Sequence, residues 1–188
     1  MKLKYVYILV ILLILAVGCT KPPEEEMKNA REAVFIAEND PDAALYARSL
    51  LARARESLSA MEVEAGNKRY DAVKAHAADA ISAAERARLE GSVGAARARE
   101  EAASLVSGLR SEIEEALRNV NGAMYSQLSL DFDDLYGDIR NVNDAADRAE
   151  SSRLDGRYQD AIDIARDIRV GLSDINGRVA SAATTAKK

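Results

Sequence analysis

The sequence predicts an all-α protein, built as an elongated antiparallel helical bundle or an array of helical hairpins. Three observations lead there. Pro41 is the last of three prolines, so the rest of the chain lacks the residue that most disrupts a helix. Alanine fills 35 of 188 positions while aromatics reach only 5%, a balance that favours helix over strand. Apolar residues recur at alternating spacings of three and four, and glycines fall close to where those stripes stop.

The elements follow in order. Thr20 to Glu26 (TKPPEEE) reads as an extended, charged tether reaching about 20 Å. Met27, Ala30, Val34 and Ala37 mark a short first helix. Asn39-Asp40-Pro41-Asp42 stops it and opens the next, with Asp40 as cap and Pro41 in the first turn. The second helix carries Ala44, Ala47, Leu51, Ala54, Leu58, Met61 and Ala65, and Gly66 is expected to end it in the left-handed conformation. Tyr70, Val73, Ala77, Ala80, Ala84 and Ala87 define a third helix ending at Gly91. Ser92 caps a fourth, with Ala95, Ala98, Ala102, Leu105, Leu109, Ile113, Ala116 and Val120 on one side, closed by Gly122. After an irregular connection, Ser129 caps a fifth helix bearing Phe132, Leu135, Ile139, Val142, Ala146 and Ala149. Gly156 ends it, and Tyr158, Ala161, Ala165, Ile168, Leu172, Ile175 and Val179 mark the last.

The seven-residue repeat of these stripes suits left-handed packing at about +20°. Alanine-lined seams let helix axes approach toward about 8 Å and leave little room for a ligand cavity. Gly108, Gly137 and Gly171 lie inside helices, either as close contacts or as flexible points. Residues 27–180 are thus expected to form one α-helical domain, followed by a frayed tail at 181–188. Gly66-Asn-Lys-Arg-Tyr70-Asp-Ala-Val73 and Gly156-Arg-Tyr158-Gln-Asp-Ala-Ile162 match with a one-residue slip after Tyr. They suggest duplicated hairpins over 40–90 and 129–179. This Gly-x-Tyr-x-x-Ala turn resembles that of tetratricopeptide repeats, whose Trp and closing Pro are missing here.

The N-terminus has the form of an export signal. Lys2 and Lys4 precede Tyr5–Ala16, an unbroken apolar run of 12 residues. A bilayer core needs about 20, so a secretory signal fits better than a transmembrane helix. A lone thiol, Cys19, follows the run and Gly18. On residues alone, a cleaved secretory signal, an uncleaved anchor and a lipidation site all remain open. Leu15-Ala16-Val17-Gly18-Cys19 resembles the lipobox of bacterial lipoproteins, with Ala16 where that family usually has Leu. The resemblance implies cleavage between Gly18 and Cys19 and covalent diacylglyceryl and N-acyl (palmitate-type) groups on Cys19, with no other cofactor. Thr20 after the cysteine resembles the outer-membrane sorting pattern more than the inner-membrane one.

The segment from Ala30 to Ala87 also resembles an alanine-rich helical domain of unknown function found in bacterial lipoproteins, spirochaetal ones among them. The residues that carry this are Ala33, Ala37, Asp42, Ala43, Tyr46, Ala47, Leu50, Ala54, Leu58, Gly66, Tyr70 and Ala72. Arg48 stands where that family often has Pro, and Asn67-Lys68-Arg69 lengthens its Gly-to-Tyr turn. Relatives often join it to an OmpA-like domain, which this sequence lacks. The resemblance implies envelope location and architecture, not chemistry.

Composition excludes several function classes. One cysteine cannot build a disulfide framework or a Cys-rich metal site. Removal of the signal leaves an acidic polypeptide, which repels nucleic acid. His76 is the only histidine and sits at a stripe's flank. Asp131, Asp133, Asp134 and Asp138 form the densest acidic cluster, but Leu135 breaks the alternation of a calcium loop, so they read as acids opening a helix. Gly91-Ser-Val-Gly94 lacks the Gly-Lys-Ser/Thr of a phosphate loop. No metal ligand set and no catalytic set is expected.

The leading expectation is a non-catalytic, lipid-anchored cell-envelope protein, held at the outer membrane facing either the periplasm or the exterior. It would act as a helical structural or protein-interaction module. Tyr46, Tyr125 and Tyr136 are the candidate contact residues, because Tyr is favoured in interface anchors; Tyr46 and Tyr136 lie near or just off the stripes, so core packing is the alternative for those two. The partner is an unspecified envelope protein, and pairing with a second copy is open. The alternative is a periplasmic carrier of a small or lipidic ligand between helices, which would need an apolar cavity of at least about 300 Å3.

Overall fold

A computed structural model describes residues 21–186; the expectations on Gly18 and Cys19 lie outside the described residues. The architecture is all-α. Six helices occur among the described residues: α1 (Glu24–Glu38), α2 (Pro41–Tyr46), α3 (Arg48–Gly66), α4 (Tyr70–Tyr125), α5 (Phe132–Leu154) and α6 (Tyr158–Ala186). Contacts group them into two compact units, one ending at Ser92 and the other beginning at Val93. Each unit has its own core.

The first unit holds α1, α2, α3 and the beginning of α4. Asp40 caps α2 as anticipated: its Oδ1 accepts from the backbone N–H groups of Asp42 and Ala43, both at 3.0 Å. Arg31 pairs with Glu62, and Arg55 with Glu38, so α1 and α3 run antiparallel. The core is fine-grained. Ala30, Val34, Ala37, Ala43, Ala54, Met61, Val73, Ala80, Ala84 and Ala87 are nearly or fully buried.

Gly91 was expected to end a helix, and it does not: α4 continues through it to Tyr125. Its role is close approach. A Cβ built on Gly91 would lie 2.5 Å from the Ala43 nitrogen and 2.7 Å from its Cα. The start of α2 therefore rests on α4 backbone to backbone, and only glycine leaves room. This contact also explains a second departure. The expected helix from 40 to 66 breaks at Ala47 (φ −128°, ψ 35°), which turns Ala43 inward and leaves Ala44 exposed. Arg48 Nε donates to the Ala44 carbonyl at 3.2 Å, satisfying a group the break frees.

The second unit holds the rest of α4 with α5 and α6. Arg110–Asp147 and Tyr136–Asn121 set α5 antiparallel to α4. Asn119–Asn176 and Arg169–Glu112 set α6 parallel to it. The core is bulkier here: Leu109, Ile113, Val120, Leu135, Ile139, Ile162, Ile168, Leu172 and Ile175 are buried. Val106, not the expected Leu105, faces inward.

Three turns share one closing geometry. After α3, Lys68 (φ 57°) donates its N–H to Ala65 O, and Arg69 N–H reaches Glu64 O at 3.0 Å. After α4, Gln127 (φ 53°) and Leu128 do the same to Met124 and Ala123; after α5, Gly156 (φ 78°) and Arg157 do so to Arg153 and Ser152. This is the Schellman pattern. The left-handed residue after α3 is therefore Lys68 and not Gly66, and Gly122 lies within α4 rather than closing it. Aligning Lys68 with Gly156 removes the slip seen in sequence. At a constant interval of 88 residues, Leu51, Met61, Val73, Ala77, Ala80, Ala84 and Ala87 match Ile139, Ala149, Ala161, Ala165, Ile168, Leu172 and Ile175, all buried.

Other boundaries also differ. Glu24–Glu26 are the first turn of α1, where acids favour the helix dipole, so the tether is shorter than expected. Pro23 is buried. Asp131, not Ser129, caps α5, accepting from Asp134 N–H at 3.1 Å. Ser92 lies inside α4, its Oγ donating to Leu89 O. The expected frayed tail is helical through Ala186.

Two substitutions of one kind should have opposite signs. Gly91→Ala should destabilise by about 1–3 kcal/mol through overpacking, whereas Gly122→Ala, with open space around the added methyl, should stabilise by up to about 1 kcal/mol. Urea unfolding followed by circular dichroism measures both. Lys68→Gly should likewise raise stability by about 1 kcal/mol by relieving the left-handed backbone, measured by the same titration.

Candidate functional site

The expected contact residues behave differently from one another. Tyr46 ends α2 in the first unit and is half-buried beside a shallow depression with Leu50, Arg86 and Leu89. Tyr125 is the last residue of α4 and 84% exposed. Tyr136 is half-buried and ties α5 to α4: its hydroxyl donates to Asn121 Oδ1 at 2.6 Å and lies 3.7 Å from Met124 Sδ. Tyr136 thus serves packing, and of the second-unit pair only Tyr125 offers an open ring.

His76 is half-buried on α4 next to buried Val73, Ala77 and Ala80, at the flank where the periodicity puts it. The aspartate cluster is divided between two tasks. Asp131 caps α5, while Asp134 and Asp138, four residues apart on one face, receive the two arms of Arg178 from α6 at 2.7 and 2.8 Å. The hydrogen bond to Asp134 outweighs the opposing desolvation and, with that to Asp138 adding to it, holds the Arg178 guanidinium above its ordinary value. Among the described residues no group of three or more His, Cys, Asp or Glu side chains could hold a metal ion.

Sequence reasoning missed the ion-pair rim of the second unit. Arg169 meets Glu112 in a two-pronged pair at 2.8 and 3.1 Å, which raises the Arg169 guanidinium above its usual range. This pair passes over Gly108, where an added Cβ would come within 3.1 Å of Glu112 Oε1, so that interior glycine is a close-contact position. Arg166 reaches Glu101 at 2.7 Å. All eleven basic residues between 93 and 186 are arginines, suited to forked pairing with carboxylates. The available signal was Asp134 and Asp138 at helical spacing, though the sequence does not show which arginine faces them.

One depression of the second unit is a groove of about 470 Å3 with Val106, Leu109 and Ala146 at its base and Arg110, Glu150 and Arg153 at its edge. It is open along its side, unlike the apolar cavity a carrier would need. No described helix is long and apolar enough to cross a membrane. Comparisons with protein-family models, curated proteins and solved structures find no match for this chain.

At the groove edge, hydrogen bonds from Arg153 at 2.7 Å, aided by the charges of Arg153 and Arg110, hold the Glu150 carboxyl below its usual range. Its folded value lies under the unfolded one. Its contribution is therefore present above the ordinary carboxylate pKa and is lost as pH falls through the depressed value. Glu150→Gln should flatten the acid limb of the stability curve, by less than about 1 kcal/mol because solvent still reaches and screens this half-buried pair. Unfolding titrations between about pH 7 and about pH 3 check this.

Proposed function

We propose that this chain is a lipid-anchored protein of the bacterial cell envelope, a helical structural or protein-interaction module without chemistry of its own. One observation carries the proposal: a lone cysteine stands directly after a positively charged start, a 12-residue apolar run and a glycine. That arrangement suits a signal cleaved before Cys19 and acylation of the new terminus. Two or more acyl chains make attachment stable where one gives only marginal binding.

The folded part supports the reading in two ways. Helix α1 begins at Glu24, directly after a buried Pro23, so a lipid on Cys19 would lie close to ordered structure. The helices also leave exposed apolar side chains for contact: Phe35, Leu45 and Leu89 in the first unit, Tyr125, Leu154 and Val170 in the second. Tyr46 and Tyr125 are the residues to scan first.

Metabolic labelling with a palmitate analogue tests the anchor. The full chain should take up label and enter the detergent phase on Triton X-114 separation, and Cys19→Ser should lose both properties. An unlabelled wild-type chain would refute the proposal.

A further inference from the structure

The start of α1 and the turn between α3 and α4 occupy the same end of the first unit. The pairs Arg31–Glu62 and Arg55–Glu38 fix this, because together they set the antiparallel register of α1 against α3. Extending that register brings Met27 level with Gly66 and Glu24 level with Arg69. Packing agrees: Met27, Ala65 and Tyr70 all lie against the same core. The opposite end is formed by Asp40, which pairs with Arg88, and by α2, whose start rests on Gly91.

The connection to Cys19 is short. Whatever its conformation, the chain from Cys19 to Pro23 spans at most about 14 Å, since a residue covers no more than about 3.5 Å. Pro23 is buried, and Glu24 N–H and Met27 N–H already donate to the carbonyls of Pro22 and Pro23. The helical part of α1 then carries the fold about 22 Å further, at 1.5 Å for each of its 15 residues.

We propose that the end of the first unit bearing the α3–α4 turn, Asn67 to Tyr70, is the surface that faces the phospholipid headgroups, and that α2 is the end held away from them. This rests on Cys19 being the acylated residue. Charge fits a zwitterionic headgroup layer. The segments that meet at this end carry Lys21, Lys68 and Lys74 as well as Glu24, Glu25 and Glu26, all exposed, while Arg69 is taken up by Glu64 at 2.6 Å. Cations and carboxylates of this mixed rim match phosphate and ammonium groups respectively. The short link holds this end against the leaflet, so no strong attraction is needed. Leu45, Tyr46 and Leu89 are then presented at the far end, where a protein partner could reach them.

The experiment uses the lipidated full chain in phosphatidylcholine vesicles containing a headgroup-linked nitroxide lipid. Because Cys19 is the only cysteine and is blocked when acylated, Lys68→Cys and Leu45→Cys each give one fluorescent site. Both positions are exposed, so neither variant should disturb folding; circular dichroism verifies that. The expected result is quenching at position 68 at least threefold stronger than at position 45. Equal quenching, or stronger quenching at 45, in a chain shown by mass to be acylated would overturn the orientation and leave the anchor reading intact. A chain that is not acylated and does not float with the vesicles would overturn both.

Discussion

The close approach of backbone to backbone at Gly91 is the constraint on which the first unit depends. With a methyl group at that position, Ala43 could not sit where it does, and α2 could not fold across α4. From that contact follow the break at Ala47 and the inward rotation of Ala43, while Asp40, the cap of α2, also reaches Arg88. Alanine at Ala30, Ala37, Ala54, Ala80, Ala84 and Ala87 extends the same principle along the seams. Such seams gain less from burial per residue than leucine would, at about 25 cal/mol per Å2. They gain instead from dense contact between main chains.

The second unit solves the same packing problem with larger pieces. Where the first hairpin has Ala80, Ala84 and Ala87, the second has Ile168, Leu172 and Ile175, 88 residues later. Bulkier side chains bury more area, and arginine–carboxylate pairs between the helices line the rim. Exposed pairs of this kind are worth only about 0–1 kcal/mol each. Their geometric effect is register: Arg178 can fork between Asp134 and Asp138 at one alignment of α5 with α6.

Much of this was legible in the sequence, because burial follows a period that residue types reveal. The stripes through α5 and α6, the cap at Asp40 and the glycine turn at Gly156 follow from local chemistry alone. What was not legible depends on distant neighbours. Gly91 reads as a stop when only propensity is weighed, since a helical glycine costs about 1 kcal/mol. Its partner lies 48 positions away, so nothing local signals a close contact. Lys68 and Gln127 were missed for the converse reason: the Schellman bonds to Glu64 and Ala123 hold residues without glycine's freedom in the left-handed region. The bond from the Tyr136 hydroxyl to Asn121 likewise joins two helices, and no local pattern announces it.

The arginine-only rim has a chemical corollary. Guanidinium groups keep their proton throughout the biological range and do not undergo the acylation reactions of lysine amines. Between residues 93 and 186 there is no ε-amine to acetylate, cross-link with active esters or cleave with a lysine-directed protease. Amine-reactive reagents will therefore report on the second unit only through Lys187 and Lys188, and the ion pairs between its helices will be invisible to them.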